Sequence, residues 1–230
     1  DCELSRGLGD VYKRQAMTGE KMVRNESFWS EKMNTQVINP SLSIHDDGLL
    51  EGGMSSGSRD GEGVPRRQQA LVEDGRLTSM LWSTRDAAQQ VAEGRIDGAQ
   101  STGSATSGGH QSPPSTGCTE LFLTSTQPAQ STDQLLERMD DGYIVNSVMG
   151  AHTANPSSGD FSVTTSSILK VERGEIVGAL KQAGLSGNLA KALNGAVVLG
   201  QEVRRQGSYS SGSMHLPDVL LMDGLRINPA

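Results

Sequence analysis

Two short glycine turns constrain this chain more than any other feature. Ala70, Leu71 and Val72 run into Glu73-Asp74-Gly75-Arg76, and Leu77, Met80, Leu81 and Trp82 follow. A short turn containing Asp-Gly between two apolar runs is a strong β-hairpin signal. The pattern recurs where Ile168, Leu169 and Val171 run into Glu172-Arg173-Gly174-Glu175 and the chain returns through residues 176–180. A hairpin makes neighbours in sequence into antiparallel neighbours in space, so a sheet containing both is expected to be mainly antiparallel.

The remaining periodicity fits that frame. Leu42 and Ile44 alternate with Ser41, Ser43 and His45 in an extended stretch, and residues 119–124 and 143–149 also read as strands. Residues 160–171 alternate, residues 196–203 read as a buried strand, and residues 216–227 read as one last strand with Pro217 near its start. Four short helices are expected. Residues 26–33 would be capped by Asn25 and would share a face of Phe28, Trp29 and Met33. Residues 84–93 would be capped by Thr84, with Ala87, Ala88, Val91 and Ala92 inward. Residues 131–139 would be capped by Ser131 or Thr132 above a stripe of Leu135, Leu136 and Met139. Residues 185–194 would be capped by Ser186, with Leu189, Ala190, Ala192 and Leu193 apolar. Hairpins interrupted by three or four short helices indicate an α+β fold with a mainly antiparallel sheet, and the absence of strict βα alternation argues against a Rossmann arrangement.

Charge and apolar runs narrow the function. Twenty basic residues against 27 acidic ones give a net charge of −7, which argues against a general nucleic-acid binder. The pairs Arg66-Arg67 and Arg204-Arg205 read as solvated strand ends. No run approaches the ~20 apolar residues of a membrane span. The two cysteines, Cys2 and Cys118, form neither a disulfide framework nor a metal quartet, and a reducing cytoplasm fits. Cys118 reads as a small buried residue at a strand start.

Chemistry-bearing residues are sparse. The four histidines are His45, His110, His152 and His215, and none forms H-E-x-x-H. His45 precedes Asp46-Asp47, but adjacent strand residues face opposite ways, so this reads as a surface strand end and not as a chelate. The acidic turn at residues 60–63 lacks the spaced ligands of an EF-hand. There is no G-x-S-x-G elbow and no P-loop. His110 lies in a long Gly/Ser/Thr/Pro tract across residues 94–117, and loops of that length tend to be functional or disordered. Residues 150–163, GAHTANPSSGDFSV, form a polar loop that carries His152, Asn155, Asp160 and Ser162 into the alternating stretch.

Five segments in order give the chain a family resemblance. They are DGEGVPRRQQALVEDG from residue 60, STGSA from residue 101, SGDFSV in the loop just described, LSGNLAKAL from residue 185, and PDVLLMDGLRI at the end. Together they resemble the carboxy-terminal domain of the PmbA/TldD family, once called modulators of DNA gyrase, from about residue 27 to 227. The resemblance implies a cytoplasmic protease system acting on unfolded polypeptides. Its TldD-type member carries zinc on H-E-x-x-x-H, with a third ligand from a Cys near the end of the chain. The PmbA (TldE) type lacks that site and pairs with the TldD type to enclose a chamber.

Residues 204–215, where that Cys would lie, contain none, and the loop wording is similar to PmbA-type members. The expectation is therefore a non-catalytic PmbA-like subunit with a TldD-like partner and unfolded peptide as substrate, without nucleic acid or membrane. The alternative is a TldD-like zinc peptidase whose metal motif lies upstream. No cofactor is expected in this stretch, with zinc confined to a TldD-like partner or a missing upstream segment. His110, His152, Asn155, Asp160, Ser162 and Asn188 are the candidates for lining a chamber or binding an extended peptide as an added strand. Residues 1–15 end in DVYKRQ and resemble translated adapter sequence, residues 16–26 read as a linker, and residues 27–230 as the domain.

Overall fold

A computed structural model describes residues 2–4, 17–106, 112–150, 154–208 and 212–229. The hairpins form as expected. Gln68–Glu73 (β3) turns into Arg76–Leu77 (β4) through Asp74 at φ 48° and Gly75 at φ 76°. Asp160–Glu172 (β9) turns into Glu175–Leu180 (β10) through Arg173 at φ 52° and Gly174 at φ 80°. Two successive positive φ values give the turn the twist that antiparallel strands need. At Gly75 the requirement is also steric, because a Cβ there would lie 2.5 Å from the Ile38 carbonyl oxygen.

The other strands are Cys2–Leu4 (β1), Leu42–Asp47 (β2), Ala105–Thr106 (β5), Ser115–Thr116 (β6), Glu120–Ser125 (β7), Asp141–Met149 (β8), Ala183–Asn188 (β11), Val197–Ser208 (β12), Gly212–Leu221 (β13) and Leu225–Pro229 (β14). One large sheet runs β14-β11-β9-β8-β1-β13-β7-β2-β3-β4, with β10 added to β9 and β12 to β13. Its pairings are antiparallel except β1 with β8 and β7 with β13. The fold is α+β, as expected. The backbone of β1, inside the stretch that reads as adapter sequence, lies between β8 and β13. Among the described residues the helices are Gly19–Val23 (α1), Thr84–Ala92 (α2), Thr132–Glu137 (α3) and Leu189–Asn194 (α4). Among the described residues no helix is long and apolar enough to cross a membrane, which says nothing of a β-barrel.

The main core gathers Trp29, Ile38, Leu42, Leu71, Leu77, Leu185, Leu189, Leu193 and Met214. A smaller cluster of Leu135, Met139, Ile144, Val171 and Leu220 sits under α3. That helix follows its expectation closely. Ser131 is the cap, its hydroxyl accepts from the Gln134 N–H, and the Gln134 side chain returns the bond.

Several expected elements are corrected. Residues 26–33 make turns in place of a helix, because Asn25, Glu31 and Asn34 take φ of 58°, 59° and 61°, outside the helical region. Phe28 and Trp29 are buried all the same, edge to face at 5.3 Å. In α2 the cap is Ser83, not Thr84, and the buried face is Asp86, Ala87 and Gln90. Ala88, Val91 and Ala92 are exposed, because Asp86 is drawn inward to accept from the Thr116 hydroxyl. The expected helix 185–194 splits, with residues 183–188 becoming β11 and Asn188, not Ser186, capping α4. Gly187 packs too tightly for any side chain, since a Cβ there would lie 2.5 Å from the Gly224 carbonyl oxygen. The last strand is two strands. Pro217 falls inside β13, opposite Val203 of β12, and on the other edge of β13 it lies between residues 213–215 paired to β7 and residues 220–221 paired to β1. Arg204 and Arg205 lie within β12 and not at a strand end. The tract at 94–117 contains a two-stranded ribbon of β5 and β6.

Candidate functional site

The loop entering β9 closes on itself and on α4. The Asn155 side-chain oxygen accepts from the Ser157 and Ser158 N–H groups at 2.9 and 3.3 Å. The Asp160 N–H donates to the Ser158 hydroxyl. Asn188 joins the loop to the helix. Its amide donates to Asp160 Oδ1 at 2.7 Å and to the Ser158 carbonyl at 2.8 Å, while its oxygen accepts from the Lys191 N–H at 3.1 Å. The bond from Asn188 is the main reason the Asp160 carboxyl sits below its usual range, with Ser158 and Lys191 adding to it. Asp160 and Asn188 are opposite each other in the β9–β11 register, so the clasp follows from strand pairing. Pro156 accepts from the Phe28 N–H and Gly159 from the Leu189 N–H, which seats the loop on the core.

Three of the six sequence candidates, Asn155, Asp160 and Asn188, therefore lie in one hydrogen-bonded clasp. Ser162 is exposed one step along β9, opposite Ser186. His110 and His152 lie outside the described residues.

A second polar cluster crosses β2, β7 and β13. The register places His45 opposite Phe122 and Phe122 opposite His215. The Phe122 ring is stacked between the two imidazoles, at 4.9 Å from His45 and 4.2 Å from His215. Glu120, two residues before Phe122 and on the same face, is fully buried. Its carboxylate lies 2.8 Å from His215 Nε2 and accepts from the Ser55 N–H at 2.7 Å. The glycine-rich connection after β2 covers this carboxylate, and a Cβ at Gly53 would lie 3.0 Å from Glu120 Oε1. Among the described residues the buried Ser55, Ser56 and Ser213 hydroxyls have no hydrogen-bond partner. Burial lowers the His45 pKa, and the charge of Asp47 opposes that shift.

The opposite face of β2 carries Asp46, which is 1% exposed and not the surface strand end that its sequence suggests. It accepts from the Thr119 N–H at 2.7 Å, and Arg66 donates to the Thr119 hydroxyl at 2.6 Å. Burial pushes the Asp46 carboxyl up to about 6 against these bonds and the Arg66 charge. Asp60 caps the neighbouring turn by accepting from the Glu62, Val64 and Ala105 N–H groups.

A carboxylate bonded to one imidazole nitrogen fixes the ring's orientation and tautomer. The cluster does not fit zinc. The Phe122 ring separates the two imidazoles, and Glu120 is already bonded to His215 and Ser55, so three donors do not converge. Among the described residues no group of three or more His, Cys, Asp or Glu side chains is placed to hold a metal. Sequence reading missed Glu120 because it sits in a plain strand pattern, and its partner is 95 residues away.

Residues 7–227 match the family described as the PmbA/TldA metallopeptidase C-terminal domain. An uncharacterised protein of Methanocaldococcus jannaschii is 29% identical over 199 residues, 86% of this chain and 44% of that protein. A metalloprotease PmbA homologue of Haemophilus influenzae is 26% identical over 93% of this chain and 42% of its own length. A metalloprotease TldD homologue of the same organism is 27% identical over 75% and 34%. The chain thus spans less than half the length of these curated relatives. Among solved structures, a putative modulator of DNA gyrase from Thermotoga maritima aligns with TM-score 0.77 and 29% identity, covering 97% of this chain and 46% of that one. TldE from Thermococcus kodakarensis aligns with TM-score 0.82 over 99% of this chain and 49% of its own, and at 22% identity that likeness is one of fold.

Proposed function

Because this chain belongs to the PmbA/TldD family of metallopeptidase-related proteins, through its C-terminal domain, we propose that it is the PmbA-like, non-metal half of a two-subunit peptidase. In this reading it completes a chamber with a TldD-like partner in the cytoplasm, and the pair acts on unfolded peptides. One observation carries the choice of half. Residues 204–215, where the resemblance places a thiolate ligand, contain no Cys, and their one histidine, His215, is tied to buried Glu120 and stacked on Phe122. Cys118 is no substitute, because among the described residues it belongs to no group of three or more His, Cys, Asp or Glu side chains placed to hold a metal.

The polar groups of Asn155, Asp160 and Asn188 hold the loop before β9 in shape. Their role in this reading is to position the loop, and exposed Ser162 is the nearest candidate for peptide contact. His110 and His152 remain candidates for the chamber lining.

Metal analysis of the full-length gene product tests the proposal. Purified alone, it is expected to hold well under one zinc per chain and to cleave no peptide. Mixed with a TldD-like partner, it is expected to give chelator-sensitive cleavage, with the zinc in the partner. Stoichiometric zinc in the isolated protein would overturn the proposal in favour of a zinc-bearing TldD-like enzyme.

A further inference from the structure

A cavity beside α1 has a mixed lining that neither the loop clasp nor the Glu120 cluster shares. It measures about 230 Å³. Met22, Val23, Met33 and Met80 make up its apolar part, and Asn25, Glu31 and Arg95 its polar part. Pockets for small molecules begin at roughly 300 Å³, so this space is matched to one large side chain and not to a whole ligand. Met22 is 3% exposed and belongs to the main core, and Met33 and Met80 pack against that core. The three thioether chains are therefore backed by packed residues. Methionine is unbranched and polarisable, and it adapts to apolar partners of different shapes. A binding surface that must accept varied partners uses that property.

The polar part is held in place by the backbone. Asn25 and Glu31 take φ of 58° and 59°. Left-handed backbone is uncommon outside glycine, and a side chain such as that of Glu31 makes it costly. Residues in that region persist where the surroundings fix them, and they gather at ligand clamps. Here the Asn25 N–H donates to the Met22 carbonyl, the Lys32 N–H to the Trp29 carbonyl and the Asn34 N–H to the Leu77 carbonyl. Trp29, between the two strained residues, is fully buried. Among the described residues the Asn25 and Glu31 side chains have no hydrogen-bond or ion-pair partner. The Asn25 amide can donate to a carbonyl and accept from an N–H, and the Glu31 carboxylate can accept from an N–H. These are the groups that a peptide main chain presents. With one acid and one base, Glu31 and Arg95, the lining carries no net charge, which fits a neutral occupant.

We propose that this cavity is a side-chain subsite for an extended polypeptide. One apolar side chain, of the size of Leu, Met or Phe, enters between Met22, Met33 and Met80, and Asn25 and Glu31 bond to the main chain on either side of it. The proposal rests on the peptide-binding reading above and adds what the peptide must carry.

Methyl-methionine NMR of the full-length protein tests it, with signals assigned by single Met→Leu substitutions. The probe is a short unstructured Gly/Ser/Thr peptide with one central Leu. Titration is expected to shift the methyl signals of Met22, Met33 and Met80 and to leave that of exposed Met149 in place. The expected dissociation constant is on the order of millimolar. A Gly-centred peptide is expected to bind at least about tenfold more weakly, because burial of a leucine side chain contributes that factor or more. Val23 lines the cavity and lies outside both core clusters, so Val23→Trp fills the space without removing a core contact. That variant is expected to bind the Leu-centred peptide no better than the parent binds the Gly-centred one, with circular dichroism unchanged. Equal shifts from the Leu and Gly peptides would overturn the proposal, as would shifts at Met149 as large as those of the lining methionines. A folded Val23→Trp variant that titrates like the parent would also overturn it. Zinc in the isolated protein, or no cleavage with a TldD-like partner, would sink the peptidase reading and leave this titration unaffected, so the two failures are distinguishable.

Discussion

Replacing Asp46 with Asn isolates a buried carboxyl whose protonation is coupled to folding. Asp46 is 1% exposed on the core face of β2, with its carboxylate on the Thr119 N–H. Burial holds the proton to about pH 6 in the folded protein, against an ordinary value of 3.8. Between those values the folded state binds more protons than the unfolded state, so stability falls as pH rises. The carboxyl's favourable contribution is fully present below about 3.8 and is lost as pH rises through about 6. A difference of roughly two units corresponds to about 3 kcal/mol across that window.

Asn keeps an oxygen for the Thr119 N–H and has no titration, so Asp46→Asn removes the slope. Other carboxylates that titrate in acid contribute equally to both proteins and cancel in the difference. Urea unfolding of parent and variant at several pH values gives that difference by linear extrapolation. Parent stability relative to the variant is expected to fall by about 2–2.5 kcal/mol from about pH 4 to about pH 7 and then level off. A difference that is flat across this range, or that rises with pH, would refute the argument from burial.

Two further substitutions test the fold where it positions the loop and the hairpin. Asn188→Ala removes the cap of α4 and both bonds from Asn188 to the loop before β9. A loss of about 1–2 kcal/mol in urea unfolding is expected, and unchanged stability would show that the clasp holds nothing. Gly75→Ala places a Cβ at φ 76° and 2.5 Å from the Ile38 carbonyl oxygen. A loss of about 2 kcal/mol or more is expected from strain and overlap together, and a variant within about 0.5 kcal/mol of the parent would contradict the turn geometry.

What the sequence reveals of the fold follows from the range of the forces involved. The turns at Asp74-Gly75 and Arg173-Gly174 are set by two residues each, and both are visible without a structure. The Ser131 capping box is equally local. The expected helix at 185–194 fails for a reason outside its own stretch. LSGN has helix-compatible apolar spacing, yet β9 and β14 lie on either side of it and draw it into the sheet. In α2 the alanine stripe loses to Asp86, whose partner Thr116 is 30 residues away. Sequence periodicity ranks faces by apolarity and has no knowledge of where a buried acceptor will find its donor.

The same limit explains why the two polar clusters differ in visibility. Residues 150–163 stand out because turn chemistry concentrates Asn, Pro, Ser, Gly and Asp in one stretch. The side chains of Asn155, Ser158 and Asp160 then bond to near neighbours and to Asn188, which the β9–β11 register places opposite Asp160. Glu120, Phe122, His45 and His215 come from three strands, and each is unremarkable in its own segment. Only the parallel pairing of β7 with β13 and the antiparallel pairing of β7 with β2 bring them into one row. A buried Glu within an apolar strand is nevertheless a physical signal, since burial of an acid requires a partner to offset desolvation. The strand TELFLT offers such an acid two residues from an aromatic ring. The rule to draw is to ask of every acid inside an apolar strand which distant donor satisfies it. Here the answer is His215, and its commitment to Glu120 is the reason the non-metal reading is preferred over a ligand role for that histidine.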